Sequence, residues 1–180
     1  MEKTMEKQGT AVHERTKLLV MTGLFIALGY VATTVLMVPS PTGGYMNLGD
    51  TVVLLGAYLL GPVYGAIAGG VGPALADLLG GYGIYVPATL VIKALMAVAA
   101  ALLYKALGKK TGALVVCGIV AEVIMVVGYF VYEGFLYGFA ESATGIPSNL
   151  VQAAFGLVLS TLLTLALRQN KQVRGRFPNL

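Results

Sequence analysis

Apolar runs of about twenty residues recur along this chain, each long enough to cross roughly 30 Å of bilayer hydrocarbon as a helix. The first is uninterrupted from Leu18 to Val38. Such runs leave few folds open, because a chain in lipid must satisfy its own backbone hydrogen bonds. Composition agrees: 57% of residues are hydrophobic and 11% charged, against about 45–50% and 25% for soluble domains. These values exclude a soluble globular domain, a disordered chain and a nucleic-acid-binding module. The net charge of +4 is no phosphate-binding patch, because the positive residues sit at the ends and in one connection. The single cysteine, Cys117, and the single histidine, His13, leave no material for a disulfide framework, a metal cluster or a histidine-based triad. No cofactor or metal is expected. The first apolar run lacks a small-residue cleavage site and more spans follow it, so it is not a cleavable signal.

Breaks in the apolar pattern divide the chain. Pro- and Gly-rich residues 39–50 read as a loop, with Asp50 placed to cap the next helix. The stretch 51–79 exceeds one span and carries Gly61-Pro62 in its middle, which predicts helices over 51–60 and 63–79. Residues 80–86 form a second loop, and Pro87 opens a fourth helix running to about Leu107. A polar turn at 108–112 precedes a fifth helix over 113–137, and a loop over 138–146 leads to a sixth from Pro147 to Leu167. The expected fold is all-α: an integral membrane bundle of six transmembrane helices over 18–167, between polar tails at 1–17 and 168–180.

Lysine and arginine set the orientation, since they stay on the cytoplasmic side. Six crossings place both termini on one side. Eleven of the twelve positive residues then share it: Lys3, Lys7, Arg15, Lys17, Lys105, Lys109, Lys110, Arg168, Lys171, Arg174 and Arg176. Connections 39–50, 80–86 and 138–146 contain none. Both termini are therefore expected in the cytoplasm, with the long loops outside.

The twelfth positive residue is Lys93, six residues and about 9 Å beyond Pro87. Asp77, Glu122 and Glu133 are also expected within the membrane, where ionisable groups mark either functional sites or structural pairs. For Asp77 and Lys93 the structural reading is a salt bridge between two helices; the functional one is contact with a ligand. Glu122 has no second buried cation to neutralise it. Glu122, Tyr129 and Glu133 share one helical face at spacings of seven and four. Asn149 and Gln152 share a face of the sixth helix, and Thr89 and Lys93 one of the fourth. With Asn47, Tyr45, Tyr82 and Tyr85 from the outer loops, these groups gather in the outer half of the bundle. Apolar and aromatic walls with a few placed polar groups make a ligand pocket; an interfacial aromatic belt is the alternative for the tyrosines. The expected binding residues are Glu122, Tyr129, Asn149, Gln152, Lys93, Asn47, Tyr85 and Glu133. Small residues repeat every fourth position at Gly61, Gly65 and Gly69, and at Gly23 and Ala27. Such spacing lets helices approach closely. For the glycines this means internal packing, and for Gly23 and Ala27 an external partner is the alternative.

The Lys109-Lys110-Thr111 turn is no phosphate loop, because the motif needs glycine where Leu103 stands. No GxSxG or HExxH motif occurs. Three classes of function remain: a binding subunit of a transporter, a small intramembrane enzyme using Glu122 or Asp77 as acid or base, and a channel or exporter.

The stretch from Asn47 to Lys93 carries Gly49-Asp50, Gly61-Pro62, Ala76-Asp77-Leu78, Gly81-Tyr82, Pro87 and Lys93 in order. It resembles the substrate-binding S components of energy-coupling factor (ECF) vitamin transporters of the riboflavin type. Segments 121–134 and 147–156 are similar to the hydroxymethylpyrimidine and pyridoxine branch. The resemblance implies a non-catalytic subunit of the prokaryotic plasma membrane that captures a vitamin from outside. Riboflavin is the alternative substrate to pyridoxine, pyridoxamine or hydroxymethylpyrimidine. The implied partners are a transmembrane coupling protein and two cytoplasmic ATPases. The family docks its coupling protein through a small-xxx-small pattern on the first helix, matched in spacing by Gly23 and Ala27, with glycine in place of the first alanine.

Overall fold

The computed structural model of the chain describes residues 2–177, 179 and 180, with side chains from residue 14 onward. Met1, Pro178 and the side chains of residues 2–13, among them Lys3, Lys7 and His13, lie outside the described residues. The fold is all-α apart from one small hairpin. Its elements are α1 (Glu2–Val35), β1 (Val38–Pro39), β2 (Tyr45–Met46), α2 (Gly49–Leu79), α3 (Val86–Ala106), α4 (Thr111–Tyr137), α5 (Phe139–Gln169) and α6 (Lys171–Arg176). Five of the described helices are long and apolar enough to cross a membrane.

Helix α2 is two helices joined at Gly61, whose backbone (φ 80°, ψ −174°) is open to glycine and strained for other residues. Pro62 then starts the second segment. The break falls where the sequence predicts it, but the 12 residues of 49–60 rise only about 18 Å, short of a full crossing. This short segment is the centre of the molecule: Val53, Leu54, Ala57 and Tyr58 are fully buried, packed among α1, α3 and α5. Tyr58 donates to the Leu114 carbonyl on α4 (3.0 Å), which satisfies its hydroxyl in an apolar core.

The glycines let these helices approach. A Cβ at Gly65 would sit 2.9 Å from the Ala57 Cα, one at Gly70 2.8 Å from the Leu90 carbonyl oxygen, and one at Gly72 2.7 Å from the Ile26 carbonyl oxygen. The second segment of α2 thus touches its own first segment, α3 and α1 through backbone surfaces.

One expected connection and part of the expected C-terminal tail are helical. Residues 138–146 were expected as a loop, yet α5 begins at Phe139, with only Gly138 (φ 94°) breaking it from α4. Phe139 packs on Phe130 and Phe135 at centroid distances of 5.6 and 5.8 Å. Thr144 and Ser148 donate to carbonyls three residues back and Ser142 to the Phe130 carbonyl on α4, so the polar side chains support the first turns rather than competing with them. Pro147 lies inside α5 without ending it. In the expected basic tail, Asn170 caps the short α6 by accepting from the Gln172 and Val173 amides. Phe177 is buried, and Asn179 donates to the Leu59 carbonyl (3.2 Å) beside the Gly61 break.

Candidate ligand cavity

At the end of the bundle that carries the β1–β2 hairpin, the end of α1, the second segment of α2, α3, α4 and α5 converge on a cavity of about 30 Å³. Its floor is a buried polar chain. Lys93 on α3 forms an ion pair with Asp50, the first-turn acid of α2, at 1% and 0% exposure. Gln152 on α5 donates to the second Asp50 oxygen (2.6 Å) and accepts from the Asn47 amide (2.8 Å). Asn47 in turn accepts from the Gly49 amide (2.8 Å). One acidic residue thus ties three helices and the hairpin together. Buried charge persists only when paired and hydrogen-bonded, and both conditions hold here.

The walls are aromatic and acidic. Tyr129 and Thr89 share a hydroxyl–hydroxyl bond (2.8 Å), and the Lys93 ammonium lies 5.4 Å from the Tyr129 ring centre. Tyr45 donates to Asp77 (2.6 Å) and its ring meets Tyr82 at 4.4 Å. The hairpin closes the top. The Thr42 hydroxyl donates to Glu133 (2.8 Å), Tyr85 donates to both the Thr42 carbonyl (2.9 Å) and Glu133 (3.2 Å), and the Ser40 and Ser148 hydroxyls meet at 3.1 Å.

Of the eight residues expected to bind ligand, seven line this one cavity: Lys93, Asn47, Tyr85, Tyr129, Glu133, Asn149 and Gln152. Glu122 is not among them. It sits seven residues, about 10 Å, along α4 from Tyr129, beneath the floor. There its carboxyl lies against Gly156 and lines an apolar groove between α4 and α5 with Val123, Val126 and Leu157. Both Glu122 oxygens are buried without a hydrogen-bond partner.

The expected salt bridge between Asp77 and Lys93 is replaced by Asp50 and Lys93. An acid at a helix start reads as a cap, but the Asp50 oxygens accept from Lys93 and Gln152. The hairpin and α5 cover the start of α2, so this carboxylate is buried and needs a cation, while Asp77 receives the Tyr45 hydroxyl instead. Asp50 is the site residue that cap chemistry concealed; the available signal was a lone buried lysine needing one acid among several.

Gly23 and Ala27 lie on an open face of α1, beside exposed Val20, Leu24 and Val31, and nothing stands within 4 Å of a Cβ at Gly23.

Residues 13–169 match the family model described as "ECF-type riboflavin transporter, S component". A Pyrococcus woesei protein, "Uncharacterized protein in gap 3'region", is 35% identical over 130 residues, 72% of this chain and 86% of the relative. The "Thiamine precursor transporter HmpT" of Lactococcus lactis subsp. cremoris (strain MG1363) is 28% identical over 165 residues, 91% of this chain and 93% of the relative. The fold is shared with a solved bacterial ECF-transporter S component at TM-score 0.66 and 21% identity, covering 86% of this chain and 97% of that one. With its cavity, its apolar helices and this family match, the chain belongs to the S components of ECF-type transporters, multi-pass proteins of the cell membrane that bind substrate for transport rather than catalyse a reaction.

Proposed function

We propose that this chain captures a small heteroaromatic vitamin or precursor, of the hydroxymethylpyrimidine or pyridoxine/pyridoxamine type, for ATP-driven uptake. The observation that carries the reading is the cavity: tyrosine rings for stacking above a fixed row of hydrogen-bonding groups, Asn47, Gln152 and Lys93. Rings stack favourably on aromatic side chains, and amides with a held ammonium orient ring substituents. The similarity to a thiamine precursor transporter supports a pyrimidine. The family description supports riboflavin as the second reading. At about 30 Å³ the cavity has room for two or three waters. Any ring therefore requires lining residues to move, and one ring requires less movement than three fused ones.

In this reading Lys93, Asn47, Tyr85, Tyr129, Glu133, Asn149 and Gln152 contact the ligand. The two segments of α2, the first too short to cross alone, run as separate helices that turn back at Gly61, so six membrane helices lie within 18–167 and both tails are cytoplasmic. A transmembrane coupling protein and two ATPase subunits supply the energy. Calorimetric titration of the purified chain with hydroxymethylpyrimidine, pyridoxine, pyridoxamine and riboflavin tests it. Binding of a one-ring compound at least tenfold tighter than riboflavin is the expected result; preference for riboflavin makes the second reading correct.

A further inference from the structure

Two acids in the cavity wall each hold an oxygen with no hydrogen-bond partner among the described residues. Asp77 and Glu133 are 4% and 3% exposed. Tyr45 donates to Asp77 Oδ1, and Thr42 and Tyr85 both donate to Glu133 Oε1. Asp77 Oδ2 and Glu133 Oε2 have no partner. Both residues line the cavity. Its single lining cation, Lys93, is paired with Asp50, and the Thr89 hydroxyl shares a bond with the Tyr129 hydroxyl in which either can be the donor. The wall therefore holds acids in excess of cations, with one oxygen of each of these two acids unmet. An ionised carboxylate only accepts hydrogen bonds, and a buried acceptor left unmet is costly. The tyrosine faces around the cavity favour positive charge as well.

Resting on the reading of this cavity as the substrate site, we infer that the substrate is recognised by N–H donation to Asp77 and Glu133. It is an amine- or amino-bearing nitrogen heterocycle, preferred over its hydroxyl or oxo counterpart. An amino group carries two N–H donors and an ammonium three, enough to meet both free oxygens. A hydroxyl carries one, and an oxo group none. Charge assistance makes such bonds roughly twice as strong as neutral ones. Asp77 and Glu133, rather than Lys93, then determine which ring is accepted.

The test compares matched pairs on the full chain in detergent by calorimetry: pyridoxamine against pyridoxine, and 4-amino-5-hydroxymethyl-2-methylpyrimidine against its 4-oxo analogue. In at least one pair the amino member is expected to bind at least tenfold tighter. Glu133→Gln and Asp77→Asn are each expected to cut that preference below threefold. Each removes a charge while keeping shape, and thermal melts identify folded variants. If Asp77→Asn does not fold, Glu133→Gln and the wild-type comparison decide. A preference below tenfold in both wild-type pairs, or one undiminished in the folded variants, overturns the inference while leaving the cavity as a vitamin site. Binding of riboflavin alone does the same. No binding by any of these compounds overturns the proposed function, and the inference with it.

Discussion

At the scale of single residues, Asp50 holds the candidate site together. Its two oxygens are divided between Lys93 and Gln152, and through Gln152 to Asn47. Asp50→Asn leaves a buried ammonium without its counter-charge, which costs about 3–5 kcal/mol when one partner of a buried pair is lost. Lys93→Met should cost a similar amount for the same reason. The double variant, with neither charge, should recover more than half of either loss; detergent melting curves of the three variants check this. Additive losses would mean that the two side chains do not act as a pair. Most of the lining was legible in the sequence because polar residues in apolar helices are scarce, so Lys93, Tyr129, Asn149 and Gln152 stand out against their surroundings. Pairing was not legible. Helical spacing says which residues share a face, but not which of Asp50, Asp77 and Glu122 a lysine on another helix will meet. Glu122 lies outside this cavity for a related reason. A spacing of seven keeps it on the Tyr129 face yet moves it about 10 Å along the axis, out of the cavity and beside Gly156.

At the scale of elements, the helices were readable where hydrophobicity and punctuation agree. Gly61-Pro62 breaks α2 as expected, since positive φ and the missing proline N–H both act at that point. The polar composition of 138–146 suggests a loop, but Thr144 bonds to the Glu141 carbonyl of its own turn, Ser142 bonds across to the Phe130 carbonyl on α4, and Phe139 anchors the corner. Tertiary packing overrode composition. The two-residue strands of the hairpin carry no sequence pattern long enough to detect. The stripe of small residues in α2 is an element-scale property with an element-scale test. A side chain at Gly72 meets the Ile26 backbone at 2.7 Å, whereas one at Gly23 meets nothing within 4 Å. Backbone cannot yield as a flexible side chain can. Gly72→Val should therefore lower stability by about 1–3 kcal/mol, the cost of overpacking, while Gly23→Val should leave the melting temperature nearly unchanged. Equal effects would mean that the approach of α1 to α2 is looser than the structure has it.

At the scale of the whole molecule, charge and exposure together set how the bundle faces the membrane and its partners. The hairpin end bears no lysine or arginine in its connections, and the opposite end gathers them. Cysteine at exposed Thr144 should react in intact cells with an impermeant thiol reagent, and cysteine at exposed Lys110 should not. Native Cys117 is fully buried and should give no background. Labelling at position 110 instead would invert the orientation. The apolar exposed faces of α4 and α5 suit lipid, since valine, leucine, isoleucine and phenylalanine dominate them. The open face of α1 differs, because Gly23 and Ala27 make a shallow track among Val20, Leu24 and Val31. Between helices in lipid, close approach along small residues replaces the hydrophobic drive that is missing there. A transmembrane coupling protein seated on that track would be displaced by bulk at either position, while the cavity would not sense it. Replacing both Gly23 and Ala27 by tryptophan should therefore leave ligand affinity of the isolated subunit within about twofold, a change of only about 0.4 kcal/mol. Vitamin uptake by cells that also express the coupling protein and ATPases should fall at least tenfold. Parallel loss of binding and uptake would make the pair part of the internal packing, and unchanged uptake would place the docking surface on another helix.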